Sequence, residues 1–182
     1  MDIQDIKLEE IDGLLNLNNA HAQETSLLDE SGMYALLRMA FYSRGIKNGS
    51  LAVLIALDQS APYDNPNFNW FKQRYNTFIY IDRVIVSESS RGLGLATKLY
   101  RDLATKAVDA GHDRIVCEVN RVPPNPGSDA FHLAMGFVTV GEAAIFGETK
   151  RVRYLEANPT RILRPSARDT AGANSLQLGK QS

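Results

Sequence analysis

Residues 86–103, VSESSRGLGLATKLYRDL, place an arginine and two closely spaced glycines directly before an amphipathic stretch. Glycines at the start of a helix allow the free N–H groups of its first turn to approach an anion closely. Leu95, Leu99 and Leu103 recur at helical spacing and would fix this helix on a sheet. The segment therefore predicts a phosphate-binding loop between a strand and a helix.

Two familiar phosphate-binding loops fit this segment poorly. The nucleoside-triphosphate loop needs a lysine and a hydroxyl residue after its last glycine, whereas Lys98 comes four residues after Gly94. The dinucleotide fingerprint needs a third glycine where the chain has Thr97, although Glu118 lies roughly where that fold has a ribose-binding acid. A glycine pair that only makes a tight turn is the remaining alternative.

From Arg91 onward the loop has the order R-G-L-G-L-A, which resembles the R/Q-x-x-G-x-G/A motif of the GNAT superfamily of acyl-CoA-dependent N-acyltransferases. Two flanking segments extend the resemblance. IDRVIV, before the loop, resembles the superfamily's cofactor-binding strand, and NPGSDAFHLAMGF, after it, resembles N-x-x-A-x-x-x-Y-x-x-x-G-F. The resemblance covers about residues 40–156 and implies that the phosphate is the diphosphate of coenzyme A.

This resemblance implies which residues bind the cofactor. Loop N–H groups, free at the first helical turn, would hold the diphosphate. Val86 would pair with the pantetheine arm through its backbone, and the Val84 N–H would bind the thioester carbonyl. The expected cofactor-binding residues are Val84, Ile85, Val86, Arg91, Gly92, Leu93, Gly94, Leu95, Ala96, Asn125 and Ser128.

Acyl transfer to an amine needs a neutral amine, a site for the oxyanion and a proton for the leaving thiolate. Asp82 is the first candidate for the base, because strand alternation predicts it on the same face as Val84 and Val86. A structural role for Asp82, as one half of an ion pair with a neighbouring cationic side chain, has equal weight with the role of base, because a carboxylate within an apolar strand needs a partner. Glu24 is the second candidate, for the base or for amine binding, with a solvated loop glutamate as its alternative. A water molecule that relays the proton is the third candidate for the base.

The expected leaving-group acid departs from the pattern that the sequence resembles. Four residues before Gly136, where the superfamily usually has a tyrosine, the chain has His132. A histidine can donate a proton near neutral pH, and an ordinary helix histidine is the alternative. The missing tyrosine also leaves open a second function, that of a catalytically inactive coenzyme A-binding sensor or partner module.

Strand and helix patterns alternate through the chain and must position these residues. Residues 59–76 interrupt them with an aromatic-rich loop, which we interpret as a source of substrate specificity or as a lid on the core. Its aromatic residues are Tyr63, Phe68, Trp70, Phe71 and Tyr75. The predicted helices cover 9–22, 29–40, the stretch from the glycine loop to Ala110, and Ser128 to Gly136. The predicted strands cover 3–7, 40–46, 51–57, 78–86, 114–119 and two segments around Gly147.

These elements predict an α/β domain on a mixed sheet flanked by helices. The resemblance adds that the sheet is mostly antiparallel, with two central parallel strands that splay apart. We expect one domain over residues 1–158 and a C-terminal tail over 159–182 that is flexible or forms an interface arm, because the apolar periodicity ends at Pro159.

The composition is that of an ordinary globular protein. A net charge of −1 gives no sign of a nucleic-acid or membrane partner. Cys117, the single cysteine, excludes an internal disulfide and is expected to be a core thiol in a reducing compartment. No residue cluster has metal-ligand spacing, so we expect no metal. The sequence thus predicts a cytoplasmic N-acetyltransferase that uses acetyl-CoA as co-substrate and a small-molecule or peptide amine as acceptor, with a homodimer left open.

Overall fold

The computed structural model describes residues 1–145 and 150–164, and the side chains of Glu10, Gln23 and Glu24 are not described. Seven strands and seven helices make up the described part of the chain. The strands are β1 (Gln4–Asp5), β2 (Tyr42–Ile46), β3 (Ala52–Asp58), β4 (Ile79–Val86), β5 (Ile115–Val122), β6 (Val138–Ile145) and β7 (Lys150–Ala157). The helices are α1 (Asp12–Ala20), α2 (Ala22–Thr25), α3 (Glu30–Met39), α4 (Pro66–Lys72), α5 (Leu95–Asp109), α6 (Pro126–Ala134) and α7 (Pro159–Ile162).

The strands form one sheet in the order β1-β2-β3-β4-β5-β7-β6. Neighbouring strands are antiparallel except for β4 and β5, which are parallel. These two strands pair only at Ile79–Ile115 and Tyr80–Val116 and then separate, which opens a gap in the middle of the sheet. The predicted fold class, with its mostly antiparallel sheet and splayed parallel pair, is confirmed.

Helices cover both faces of the sheet. On one side, which we call the α5 face, Leu95, Leu99 and Leu103 of α5 pack on residues of β2–β5 in one core cluster. On the other, the α4 face, a second core cluster holds the apolar residues of α1, α3 and α4. Because both faces are covered, the central strands are buried almost throughout, as the continuous apolar run of β3 requires.

The segment 59–76, predicted to be an aromatic-rich loop, contains the two-turn helix α4. Asn65 caps this helix by accepting hydrogen bonds from the N–H groups of Asn67 (2.8 Å) and Phe68 (3.3 Å), and Pro66 occupies its first turn. Phe68 and Phe71 are fully buried. The remaining aromatic residues of the segment, Tyr63, Trp70 and Tyr75, pack partly buried against the same core cluster. The segment therefore folds down on the core, as in the lid alternative.

Two helix boundaries differ from those predicted. Helix α6 begins at Pro126 rather than at Ser128, because the Asn125 side chain is its cap and accepts from the Ser128 N–H at 3.1 Å. After the predicted domain boundary the chain continues as α7, in which Ile162 is 2% exposed. Residues 165–182, most of the predicted tail, and the turn around Gly147 lie outside the described residues. None of the described helices is long and apolar enough to cross a membrane.

Candidate active site

The glycine loop lies at the start of α5. Gly92 and Gly94 have φ values of +77° and +73°, and nothing lies within 4 Å of the position that a Cβ would take at either. The first intrahelical bond is Lys98 N–H to Gly94 O at 3.1 Å, so the amides just before Lys98 lack helical partners. Arg91 N–H is already used in a turn, by Glu88 O. The loop is thus an open cradle with unpaired N–H groups and glycine conformations, suited to an anion.

Strand β4 presents backbone groups to the gap beside this loop. Ser87 N–H donates to Leu51 O on the β3 side at 2.8 Å. Because successive residues of a strand point their N–H groups to opposite edges, the Ile85 N–H faces β3, whereas the N–H groups of Val84 and Val86 face the gap. The geometry predicted for Val84 and Val86 is therefore available. Ile85 instead packs its side chain into the core of the α4 face.

Two connected cavities follow the gap. The outer one, about 390 Å³, lies next to the glycine loop, and the inner one, about 110 Å³, lies between the separating strands. Seven of the predicted cofactor-binding residues line the outer cavity: Val84, Ile85, Val86, Arg91, Ala96, Asn125 and Ser128. Among the other predicted residues, Leu93 is 57% exposed and Leu95 is 4% exposed, so Leu95 can offer only its backbone.

Asp82 does not lie on the face predicted for it. A β-bulge interrupts the β3–β4 pairing, since Ile55 pairs with Arg83 and Ala56 with Ile81, which leaves Asp82 without a partner on β3. The bulge shifts the alternation, and the Asp82 carboxylate turns to the α4 face. There Oδ1 accepts from the Tyr63 hydroxyl at 2.6 Å and Oδ2 from Arg83 Nε at 2.7 Å.

Both side chains of the Asp82–Arg83 ion pair are at most 4% exposed. Arg83 Nη1 also donates to Asn18 Oδ1 of α1 at 2.5 Å. The ion pair weighed as the alternative for Asp82 is thus present, and both carboxylate oxygens are engaged. Such a carboxylate is held in place by two charge-assisted hydrogen bonds and has no oxygen left without a partner.

The carboxyl group with an unused oxygen is that of Glu118, on β5 directly after the strands separate. It lines the inner cavity, and its Oε1 accepts from Asn67 Nδ2 at 2.9 Å. Within the described part of the chain, its Oε2 has no hydrogen-bond partner. Burial raises the pKa of Glu118 to about 7, Asp82 adds to the rise, and the nearby Tyr80 hydroxyl and Lys150 oppose it. Glu118 therefore has the proton affinity of a base that works near neutral pH.

His132 lies on the α5 face of the gap and is 4% exposed. Its Nδ1 is 2.8 Å from Ser128 O, which can only accept, so Nδ1 carries the hydrogen. Its Nε2 then accepts from the Tyr100 hydroxyl, also at 2.8 Å. Burial lowers the pKa of His132, although the Ser128 carbonyl and Asp129 act against this. A neutral ring with both nitrogens occupied disfavours the predicted role as the leaving-group acid, which requires a charged imidazole.

Three other predictions concern this region. Glu24 belongs to α2, but its side chain is outside what the structure describes. Burial raises the pKa of the Cys117 thiol well above its usual range, as expected for a core thiol rather than a nucleophile. Over residues 1–145 and 150–164, no group of three or more histidine, cysteine or acidic side chains is placed to hold a metal ion.

Sequence reasoning missed Glu118 as a base and Asn67 and Tyr100 altogether. The available signal for Glu118 was an acidic residue within the apolar strand IVCEVN, the same argument that was applied to Asp82. Which of the two carboxylates would be paired depended on the bulge and on α4. Neither the β-bulge nor the position of α4 follows from a local pattern in the sequence.

The comparisons with known proteins agree with this geometry. Residues 63–137 match the model of the Acetyltransferase (GNAT) family. No curated protein sequence matches the chain. Solved structures with the same fold include Ard1 from Thermoplasma volcanium, with a TM-score of 0.67 and 12% identity over 86% of this chain and 96% of that one.

Two further structures share the fold. One is the ribosomal-protein-alanine N-acetyltransferase of Brucella melitensis, with a TM-score of 0.66 and 17% identity over 87% of this chain and 99% of that one. The other is yncA, a putative acetyltransferase from Salmonella typhimurium solved with its cofactor acetyl-CoA, with a TM-score of 0.64 and 16% identity over 92% of this chain and 96% of that one.

Proposed function

We propose that the chain is an acyltransferase of the GNAT type, as the match of residues 63–137 to the Acetyltransferase (GNAT) family model supports, and that it transfers an acetyl group from acetyl-CoA to a primary amine by direct attack. The observation that carries this proposal is the position of Glu118. Its carboxyl group, with a pKa of about 7, lines a small cavity between the two separated strands. The outer cavity and the open glycine loop adjoin it on the other side.

The residues of the outer cavity suit coenzyme A. The N–H groups near Gly92 and Gly94 would bind the diphosphate, and the N–H groups of Val84 and Val86 would hydrogen-bond the pantetheine arm as a neighbouring strand does. The structure of yncA with its cofactor acetyl-CoA supports this choice of co-substrate. The thioester would then lie where the outer cavity meets the inner one.

The inner cavity suits the chemistry. A primary ammonium group must lose a proton before its nitrogen can attack, and Oε2 of Glu118 is free to accept it. The nitrogen then forms a bond to the thioester carbonyl carbon, and the carbonyl oxygen takes up negative charge. Val84 N–H faces this space and would stabilise that oxygen. Collapse of the adduct breaks the carbon–sulfur bond; the nitrogen gives up its extra proton to water and the departing thiolate takes one up from water, which leaves the amide and the thiol of coenzyme A.

The test is thiol release from acetyl-CoA with a panel of small amines and of peptides with free N-termini. We expect release that depends on one class of amine, together with formation of the acetylated product by mass spectrometry. Binding of coenzyme A, seen as a concentration-dependent rise in melting temperature, without turnover on any acceptor would instead support the inactive coenzyme A-binding module. Absence of both binding and turnover would refute the proposal entirely.

A further inference from the structure

Asn67 of α4 connects this helix to the carboxyl group of Glu118. The Asn67 side chain is buried, and its Nδ2 donates to Glu118 Oε1 at 2.9 Å. Asn67 and Glu118 are far apart in the sequence, and the contact joins the inserted segment 59–76 to the strand at the gap. The other carboxylate oxygen, Oε2, is buried and has no hydrogen-bond partner among the described residues, and Glu118 itself lines the inner cavity.

Tyr154 of β7 fixes the orientation of the Asn67 amide. Its hydroxyl donates to Asn67 Oδ1 at 3.0 Å. An amide oxygen can only accept and an amide nitrogen can only donate, so with the Tyr154 hydroxyl donating to Oδ1 the nitrogen is the group that meets the Glu118 carboxylate, which can only accept when ionised. The Tyr154 ring is itself stacked on Trp70 of α4, with a centroid distance of 4.1 Å and an angle of 22°. Three residues from β5, α4 and β7 thus form one buried chain of hydrogen bonds.

The helix that carries Asn67 is rigidly placed. Its first turn is capped by Asn65, and Phe68 and Phe71 on either side of Trp70 are fully buried. A side chain in the first turn of such a helix has little freedom to move relative to the sheet. The aromatic segment therefore has a function other than contact with substrate, since it presents an amide to the carboxyl group.

We propose that Asn67, oriented by Tyr154, is a positioning residue that holds the Glu118 carboxylate toward the inner cavity and stabilises its charged form. The proposal rests on the proposed function, in which Glu118 is the base. A hydrogen bond to the ionised form of a carboxyl group favours that form, so its loss makes the carboxyl harder to ionise. Glu118 would then accept the proton of the amine in a fixed geometry.

Other titratable groups also face Glu118, and a substitution at Asn67 leaves all of them in place. They come from β4, β5, β7, α5 and the segment before α4: Tyr80, Asp82, Cys117, Lys150, Tyr154, Tyr100 and Tyr63. Asn67 carries no charge, so replacing it changes the hydrogen bond and leaves the charges around Glu118 as they were.

The experiment compares Asn67→Ala with Asn69→Ala, a control on the same helix that removes only the Asn69 Nδ2 bond to Asp64 Oδ1. The pKa of Glu118 is measured by ¹³C NMR of glutamate-labelled protein, assigned with Glu118→Gln, and by the acid limb of the pH profile of kcat/KM. We expect Asn67→Ala to raise both values by about one pH unit, the effect of one hydrogen bond to a charged group. We expect Asn69→Ala to behave as the wild type.

An unshifted Glu118 pKa in folded Asn67→Ala overturns the proposal, as does an equal shift in Asn69→Ala. Should Asn67→Ala not fold, Tyr154→Phe decides, because it keeps the ring stack and removes only the phenol that orients the amide. We expect Tyr154→Phe to raise the pKa of Glu118 by less than about one unit. If the pKa of Glu118 does not change in this variant, the proposal is overturned. The NMR value is independent of turnover, so a wild-type rate in Glu118→Gln would contradict the proposed function without affecting this measurement.

Discussion

On the α5 face, the groups around the gap come from the glycine loop, α5 and α6, segments that follow one another closely along the chain. On the α4 face, Tyr63, Asn67, Asp82, Glu118 and Tyr154 come from four separate segments (59–76, β4, β5 and β7) and meet only in the folded protein. The first set offers mainly backbone N–H groups and neutral side chains. The second set offers two carboxylates, one neutralised by an ion pair and one not. Under the proposed function, one face binds coenzyme A and the other takes the proton of the amine.

The substitution with the largest expected effect on kcat, Glu118→Gln, separates cofactor binding from proton transfer. Glu118→Gln keeps the size of the side chain and an oxygen that can accept from Asn67 but removes the base, so we expect kcat to fall by roughly 10²–10⁴-fold. Dissociation constants for coenzyme A, measured by calorimetry, should change less than twofold. Asp82→Asn is the comparison, because its carboxylate is already paired. If Asp82→Asn loses more activity than Glu118→Gln at equal stability, the assignment of the base is reversed.

This contrast also shows what the sequence can and cannot predict. The Arg91–Ala96 loop, the following helix and the separating strand were predictable because each depends on a local pattern of glycines and apolar residues. The orientation of Asp82 was not, since one extra residue at the β-bulge reverses the alternation on which its prediction relied. Glu118 acquires its proton affinity from burial between the sheet and α4, with a smaller contribution from the charge of Asp82. These are long-range contacts, and no spacing in the sequence encodes them.

The second prediction concerns stability on the α4 face. Glu118 has a pKa of about 7 in the folded protein, against 4.5 for an unperturbed glutamate side chain. The folded state therefore holds this proton more tightly than the unfolded state. The resulting stabilisation is complete below about pH 4.5 and is lost as the pH rises through 7.

Relative to wild type, Glu118→Gln should thus gain about 3 kcal/mol in free energy of unfolding between pH 5 and pH 8. Urea unfolding of both proteins at the two pH values measures this. Glu88→Gln, a substitution in the exposed turn before the glycine loop, is the control and should show no such gain. A pH-independent difference between Glu118→Gln and wild type would mean that Glu118 is ionised as easily in the folded protein as in the unfolded one.

The third prediction concerns the helix that packs behind the α5 face. Ile162 of α7 is 2% exposed and belongs to the same core cluster as α5. A chain ending at Asn158 loses this side chain and should be less stable by about 2 kcal/mol than one ending at Arg164. Thermal unfolding of the two truncated chains compares them directly. We expect both to bind coenzyme A when folded; equal stability would place the end of the domain at residue 158.

The fourth prediction tests the loop itself. Gly94→Val puts a branched side chain at φ +73°, into the open side of the cradle, and should weaken coenzyme A binding by at least about tenfold. Gly111→Val is a matched control, because Gly111 has φ +79° and equally open surroundings at the other end of α5. Both variants carry the same backbone strain, so only the loss of binding should differ. Equal affinity in the two variants would show that the loop is only a turn.

The smallest effect on kcat is expected for a substitution at His132. If the imidazole of His132 were charged, this residue would bring the α5 face into proton transfer. Such a charged ring would cause the rate to fall as the pH rises through its pKa, and His132→Phe would abolish that alkaline limb. The Nδ1 hydrogen is held by Ser128 O, Nε2 is occupied by the Tyr100 hydroxyl, and burial lowers the pKa of the ring. We therefore expect His132→Phe to reduce kcat by less than about tenfold and to leave the alkaline side of the pH profile unchanged, below the effect of one acid–base group.

The matched variant for His132 is Tyr100→Phe, which keeps the ring of Tyr100 and removes the hydroxyl that donates to Nε2. Because this leaves Nε2 without its donor, the imidazole becomes easier to protonate, and an alkaline limb should appear only if the thiolate takes its proton from His132. We expect no such limb, since water that reaches the sulfur through the outer cavity can supply the proton. A rate loss of 10²-fold or more in His132→Phe, together with a lost alkaline limb, would transfer proton donation to the α5 face and remove the division of roles between the two faces.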